Sequence, residues 1–189
     1  MANRYLDNIS AGYYSTISLI IKMFFYIATP ISSVMFSYLL IAKRENNYDK
    51  EKKIIYYSIL LFIFASFCLS LFMIIFAKQI VLIQFTYRYE LIISLVPQAV
   101  IFGFSLGFAV LTFNYGLAYK LFIPFYGYLA IFFYVYFSLR NSERTFDNFM
   151  FIMRLFFVFL LIYNAFIILI HRIILRAKKQ IVKNWISHF

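Results

Sequence analysis

The sequence predicts an all-α integral membrane protein, and two features of its composition carry that prediction. Of the 189 residues, 65% are hydrophobic and only 13% are charged. Soluble chains average just under half apolar and about a quarter charged residues. So few charges cannot cover a water-facing surface, which excludes a soluble globular domain. A basic nucleic-acid-binding surface is excluded with it, despite the net charge of +11.

Five apolar runs follow one another along the chain, each near the roughly 20 residues that a membrane-spanning helix needs. We predict about five transmembrane helices, forming one transmembrane domain over residues 1–175. The predicted spans are 14–42, 54–77, 92–114, 118–138 and 149–171. The single cysteine, Cys68, lies in an apolar run and is predicted to be a small core residue, since it has no partner for a disulfide within the chain.

Basic residues are distributed unevenly between the two ends of these spans. The first and third loops and the C-terminal tail together hold eleven Lys and Arg residues, whereas the N-terminus and the other two loops hold five. Cytoplasmic loops carry an excess of Lys and Arg. We therefore expect a multi-pass protein of the cell (inner or plasma) membrane, with its N-terminus outside and its C-terminus in the cytoplasm.

The tail, residues 172–189, can be wound as a helix with apolar residues on one side and basic residues on the other. Such a helix lies on an anionic membrane surface, with Trp185 at headgroup depth. Membrane lipids are then its partners. The alternative is a solvated basic tail.

Polar residues recur at helical spacing within the first apolar span. They are Ser15, Ser18, Lys22, Tyr26, Thr29, Ser33 and Ser37. Residues three and four apart share one face of a helix, so this polar stripe should face protein or water rather than lipid. The opposite side is apolar and is predicted to face lipid. It consists of Ile17, Ile20, Phe24, Ile31, Met35 and Tyr38.

Two basic residues within the spans are candidate binding groups. An ammonium in hydrocarbon costs at least a few kcal/mol unless it is paired or hydrated, so Lys22 could face an anionic substrate in a cavity. Alternatively, residues 23–42 alone are long enough to span, which would leave Lys22 at the outer interface. Arg154, near the outer end of the fifth span, has the same two interpretations.

The third span has two edges suited to contact with other helices. Gly103 and Gly107 form a G-x-x-x-G edge, which permits close helix approach in lipid. The other edge is polar and consists of Ser94, Gln98, Ser105 and Thr112. The two edges together place this helix inside a bundle.

Enzyme chemistry is not predicted. All seven Asp and Glu residues are expected in loops or termini, so no carboxylate pair lies at membrane depth. The sequence also lacks the motifs of zinc proteases, serine hydrolases and P-loop proteins. We therefore expect no catalytic residue, no metal site and no cofactor.

Three segments resemble the oligosaccharide flippases of the MATE-like multidrug/oligosaccharidyl-lipid/polysaccharide superfamily. Residues 11–36, AGYYSTISLIIKMFFYIATPISSVMF, are similar to a helix of that family with a Gly-Tyr start and a Lys about nine positions later, here Lys22. Residues 79–90, QIVLIQFTYRYE, resemble an external turn, and residues 113–124, FNYGLAYKLFIP, resemble a short cytoplasmic link. The resemblance covers about residues 7–175.

This resemblance implies part of one lobe of a MATE-like transporter, as the C-terminal part of a flippase that moves lipid-linked oligosaccharide for cell-surface polysaccharide synthesis. The chain would then be a truncated fragment whose partners are the missing N-terminal helices or another membrane subunit. The implied substrate-binding residues are Lys22, Arg154, Ser15, Ser18, Thr29 and Ser33. The alternative is a small structural or accessory membrane protein without transport activity, in which the polar stripe is a helix–helix interface.

Overall fold

Every secondary-structure element that the structure describes is a helix. The structure is a computed structural model, and it describes residues 8–79, 90–121, 123–141 and 145–186. Five long helices follow the five apolar runs, because a backbone in lipid must satisfy its own hydrogen bonds. They are α1 (Asn8–Arg44), α2 (Tyr48–Ile75), α3 (Glu90–Ala118), α4 (Ile123–Asn141) and α5 (Phe146–Ile186). This confirms the all-α fold class.

Four of these helices are long and apolar enough to cross a membrane. The qualifying segments are Gly12–Arg44, Tyr48–Ile75, Ile93–Ala118 and Phe146–Ile170. The fourth predicted span corresponds to α4, which has 19 residues. The chain is thus a multi-pass membrane protein by the length and composition of its helices.

Short polar segments end one helix and begin the next. Asn47 caps α2, since its side-chain oxygen accepts a hydrogen bond from the Lys50 backbone N–H at 3.0 Å. The turn after α3 closes when the Leu121 N–H donates to the Gly116 carbonyl at 2.8 Å, with Lys120 at φ 55°. The fourth span was predicted to start at about residue 118, but Ala118 is the last residue of α3 and α4 starts at Ile123.

The final helix is longer than predicted. It runs from Phe146 to Ile186, so the backbone of the tail continues the fifth span without a break. The tail's predicted amphipathic side chains and the external turn at residues 80–89 lie outside the described part of the chain.

Contacts along the bundle define the direction of each helix. Phe24 of α1 packs at Gly103, and Ser32 further along α1 bonds Asn114 further along α3, so α1 and α3 are parallel. Helix α5 runs the same way, because Arg154 bonds Gln98 near the start of α3. The ring of Phe157, one turn later in α5, stacks on Phe102 of α3 with centroids 4.5 Å apart. Helices α2 and α4 run in the opposite direction.

The core lies where α3 meets α1, α2 and α5. Small residues on α3 admit large rings from its neighbours, as where Phe24 and Phe62, both fully buried, contact Gly103 and Gly107. The prediction that α3 is an interior helix with a close-packing glycine edge is confirmed. Helix α2 instead exposes large apolar side chains along most of its length, as expected of a lipid-facing helix.

Candidate functional site

The polar stripe of α1 lies on the outer surface of the five-helix unit. Ser15, Lys22, Thr29 and Ser33 are exposed, and Ser18 is half-buried. Tyr26 and Ser37 of the same stripe are exposed as well. The stripe residues therefore share a face as predicted, and none of the other described helices covers that face.

The apolar side of α1 corrects one expectation. It was predicted to face lipid, yet Ile17, Ile20, Phe24 and Met35 are at most 5% exposed. The physical reason is the glycine edge of α3, which lets the two helices approach until the Phe24 ring fills the space beside Gly103. Only Tyr38 of that side is strongly exposed. The apolar side is thus the bundle-facing side, which turns the polar stripe outward.

Helix contacts allow the depth of Lys22 to be measured against α2. Gly107 lies against both Phe62 of α2 and Ala28 of α1, so these residues share a level. Lys22 precedes Ala28 by six residues, or about 9 Å at 1.5 Å per residue, which puts it level with Cys68 of antiparallel α2. From there α2 and its continuation run for roughly 15 Å before Lys78, with Ser70 as the one polar residue between them. This depth favours a cation within the apolar zone over one at its outer interface.

Three hydroxyls of the stripe, those of Thr29, Ser33 and Ser37, donate to carbonyls of their own helix. Thr29 donates to the Phe25 carbonyl at 2.8 Å, and Ser33 donates to the Thr29 carbonyl at 2.9 Å. Such bonds to the preceding turn satisfy the hydroxyl hydrogen within the helix. What remains available is the oxygen lone pairs, so these side chains can accept hydrogen bonds from a ligand or a partner.

Arg154 is held by a neighbouring helix. Its Nε donates to Oε1 of Gln98 on α3 at 3.2 Å, and the side chain is exposed. Because Phe24 shares a level with Gly103, Gln98 is level with about position 19 of α1, so Lys22 and Arg154 differ in depth by about 5 Å. Lys22 itself has no hydrogen-bond or ion-pair partner among the described residues. The two cations thus lie at similar depths, and no contact joins them in the structure.

One hydrogen bond between α1 and α3 was not predicted. Asn114 donates from Nδ2 to the Ser32 Oγ at 2.8 Å, and Ser32 is fully buried. Ser32 lies beside the stripe in sequence but on the α3 side of the helix. Ser32 directly precedes Ser33 of the stripe and so falls outside the spacing of three and four residues. This offset is the signal that could have indicated a buried hydroxyl.

A second cluster joins the ends of α1, α2 and α3. Tyr119 donates its hydroxyl hydrogen to the Glu51 carboxylate, and Glu51 is only 5% exposed. Lys43 lies over the Tyr119 ring, with Nζ 4.6 Å from its centroid, and donates to the Ala118 carbonyl at 2.9 Å. Burial, and after it the hydrogen bond to Glu51, raise the pKa of Tyr119 above its ordinary value of 10.

This cluster corrects the expectation that every acid lies in a loop or terminus. Glu51 lies in the first turn of α2 and is buried, and Asp49 and Asp147 also belong to the first turns of helices. The charge-rich loop sequence concealed the helix start, because Asn47 caps α2 before its apolar run begins.

A buried polar group also joins α3, α4 and α5. The Tyr128 hydroxyl lies 2.6 Å from Oδ1 of Asn164 and 3.1 Å from the Ala109 carbonyl, and Asn164 is fully buried. Cys68, by contrast, is exposed among the apolar side chains of α2, so its prediction as a core residue was wrong. The helix α2 has nearly uniform hydrophobicity around its axis, which hides the side that faces the bundle.

The fold and these sites define an all-α, multi-pass membrane protein with an uncovered polar face. Within the described ranges, no group of three or more His, Cys, Asp or Glu residues is arranged to hold a metal ion. In comparisons with known proteins, no family model matches the sequence, and no curated protein or solved structure matches it significantly.

Proposed function

We propose that this chain is part of a membrane flippase that translocates lipid-linked oligosaccharide for cell-surface polysaccharide synthesis. In this proposal the chain forms part of one lobe, in the cell membrane, with its N-terminus outside and its C-terminus in the cytoplasm. Further helices or another membrane subunit supply the opposite wall of the pathway.

The observation that carries the proposal is the outward-facing polar stripe of α1 with Lys22 at membrane depth. A polar helix face exposed to hydrocarbon is unfavourable, and an uncompensated ammonium there costs at least a few kcal/mol. The face therefore requires either a protein partner or a water-filled space. A pathway between two lobes provides both.

The chemistry of the face suits an anionic, sugar-bearing headgroup. Lys22 supplies a positive charge without a described partner, and Arg154 supplies a second cation about 5 Å away in depth. Thr29 and Ser33 present lone pairs that accept hydrogen bonds from sugar hydroxyls. Ser15 and Ser18 extend the same face toward the start of α1. We assign these six residues to substrate binding.

An accessory membrane protein is the second candidate, and the hydroxyl pattern favours it. The hydroxyl hydrogens of Thr29, Ser33 and Ser37 are already bonded to carbonyls of α1. The stripe could therefore pack against a partner helix without water between them. In that case the face would hold no water and no substrate.

Thiol labelling in the native membrane distinguishes the two candidates, because the chain contains its own depth-matched control. Cys68 lies level with Lys22 but on the lipid-facing side of α2. The test compares the wild-type chain with Lys22→Cys in a Cys68→Ser background, using a water-soluble maleimide. A thiol reacts as the thiolate, which requires contact with water.

The flippase proposal expects the cysteine at position 22 to react at least about tenfold faster than Cys68, since only the former would face a hydrated pathway. Equal, slow labelling at both positions would instead support a dry interface and contradict a water-filled path. A cysteine at Val34, which is 56% exposed but lies off the stripe, should stay unreactive.

Transport of the glycan tests the role of Lys22 directly. Replacing Lys22 with Met keeps the length of the side chain and removes its charge, so we expect translocation of a polyprenyl-linked oligosaccharide to fall about tenfold or more. Lys22→Arg should keep most of the activity. Undiminished flipping by Lys22→Met would remove this residue from the substrate site.

A further inference from the structure

One end of the bundle carries an excess of positive charge that its own acids do not neutralise. This basic end consists of the last turn of α1, residues 45–47, the first two turns of α2 and the turn at residues 119–121. By sequence it holds six Lys or Arg residues and three carboxylates. The opposite end, by contrast, has nearly equal numbers of acids and bases in its loops.

Each carboxylate of the basic end already has a partner. Glu45 pairs with Lys50 at 2.8 Å, and Asp49 lies 3.7 Å from Lys52. Glu51 accepts its hydrogen bond from the neutral Tyr119 phenol. No acid of this end therefore forms an ion pair with Arg44, Lys53 or Lys120.

Three cations remain exposed without a partner among the described residues. They are Arg44 at the end of α1, Lys53 in α2 and Lys120 in the turn after α3. Lys43 donates to the neutral Ala118 carbonyl, and the buried Glu51 carboxylate offsets its charge, so the basic end keeps an excess of three positive charges. Because the three exposed cations come from three different elements, they form a surface rather than one helix face.

This surface lies at the level where lipid headgroups begin. Arg44 ends the apolar segment of α1, and Lys120 follows the last residue of the α3 segment by two positions. Tyr56 and Tyr57, one turn after Lys53, are 58% and 61% exposed. Exposed tyrosines beside basic residues are typical of the boundary between hydrocarbon and headgroups.

We propose that the basic end binds the headgroups of anionic phospholipids. The phosphates compensate Arg44, Lys53 and Lys120 together, and by bridging three elements they hold the ends of α1, α2 and α3 in place. This inference does not rest on the proposed transport activity. It uses the charged residues at the basic end of the bundle, which lies on the opposite side of the membrane from the start of α1.

Lipid selectivity in a bilayer tests the proposal. The chain is reconstituted in phosphatidylcholine vesicles, and the association of spin-labelled phosphatidylglycerol is compared with that of spin-labelled phosphatidylcholine. One basic residue near an anionic surface contributes about 1 kcal/mol, a factor of about five. With several cations at the basic end, we expect the wild-type chain to prefer the anionic lipid by at least that factor, and high salt to weaken the preference.

Matched double variants locate the effect. Arg44→Gln with Lys120→Gln removes one Arg and one Lys from the basic end, and should lower the preference at least about twofold. The basic tail keeps the preference from vanishing. Lys78→Gln with Arg140→Gln removes the same two residue types from the opposite end and should leave it unchanged.

Three results would overturn the proposal. The first is a wild-type chain with no preference for the anionic lipid, and the second is an equal loss of preference in both double variants. The third is a loss of the wild-type preference when free inorganic phosphate is added at millimolar concentration as a competitor. If Arg44→Gln with Lys120→Gln loses helical circular dichroism, the charge-conserving pair Arg44→Lys with Lys120→Arg serves instead. That pair must keep the preference, and its loss would equally contradict the proposal.

Discussion

Glu51 is a buried carboxylate that is stabilised without an ion pair. No cation lies within ion-pair distance of it among the described residues, and Tyr119 supplies its hydrogen bond. A buried acceptor that loses its hydrogen-bond donor destabilises the fold by the free energy of its desolvation. The Tyr119 hydroxyl is therefore important to the packing of α2 against α3, and Lys43 above its ring adds α1 to the same contact.

Tyr119→Phe should lower the free energy of unfolding by about 1–3 kcal/mol, because Glu51 then loses its donor while remaining buried. The measurement is reversible unfolding in mixed micelles, followed by circular dichroism. Tyr57→Phe, at an exposed tyrosine of α2, is the control and should change stability by less than about 0.5 kcal/mol. Equal, small effects of the two substitutions would show that the Glu51 contact contributes little.

The same phenol gives a prediction for alkaline pH. Its pKa is raised in the folded chain above the ordinary value of 10, so the folded state holds the proton more tightly than the unfolded state. This contribution is complete below pH 10 and is lost as the pH rises from there toward the folded pKa. Tyr119→Phe removes the group, so stability should fall less steeply above pH 10 in that variant than in wild type. Parallel slopes would contradict this.

At the scale of elements, the contact between α1 and α3 depends on glycine. A Cβ at Gly103 would lie 2.4 Å from Cδ2 of Phe24, a ring that is fully buried. A Cβ at Gly127 of α4 would lie 2.0 Å from Cζ of Tyr163, the far end of a side chain that is only partly buried, so this ring can move aside at the cost of its hydrogen bond to the Gly127 backbone.

Gly103→Ala should therefore destabilise the bundle by about 1–3 kcal/mol, the usual cost of overpacking a filled interior. Gly127→Ala should cost less, although its nominal clash is the shorter one. Unfolding in mixed micelles measures both. If Gly127→Ala proves the more harmful, the mobility assigned to the Tyr163 ring is wrong.

The sequence predicts the existence of these helices better than their ends. Apolar runs of this length have no other stable form in lipid, so five helices follow directly. The end of α3 was missed because the turn at residues 119–121 is built from Tyr, Lys and Leu, and only Lys120 interrupts the apolar character. Turns without Gly or Pro leave little trace in a composition pattern.

The sequence is also a weak guide to which apolar side meets protein. Lipid tails are as apolar as a protein core, so Phe24 in the bundle and Phe64 on the surface have the same sequence signature. The stripe of α1 could be predicted because polar residues that recur at helical spacing stand out among apolar ones. That the stripe faces outward is shown only by the packing of Phe24 against Gly103.

At the scale of the whole molecule, the five described helices, three parallel and two antiparallel to them, place alternate loops at the same end. The first and third loops meet at the basic end, as where Lys43 reaches the Ala118 carbonyl next to the second of these turns. Their charges therefore add, and we expect this concentration of cations to oppose translocation of that end across a membrane.

The resulting orientation can be tested with two single cysteines in a Cys68→Ser background. Asp49→Cys places a thiol at the basic end, where the native side chain is 78% exposed, and Gln79→Cys places one at the opposite end. In intact cells an impermeant maleimide should label position 79 within minutes and position 49 only after the membrane is opened. Because both sites are exposed, a difference in rate reports the side of the membrane rather than burial. The reverse pattern would mean that the eleven basic residues do not set the orientation, and it would also move the basic end to the outer leaflet.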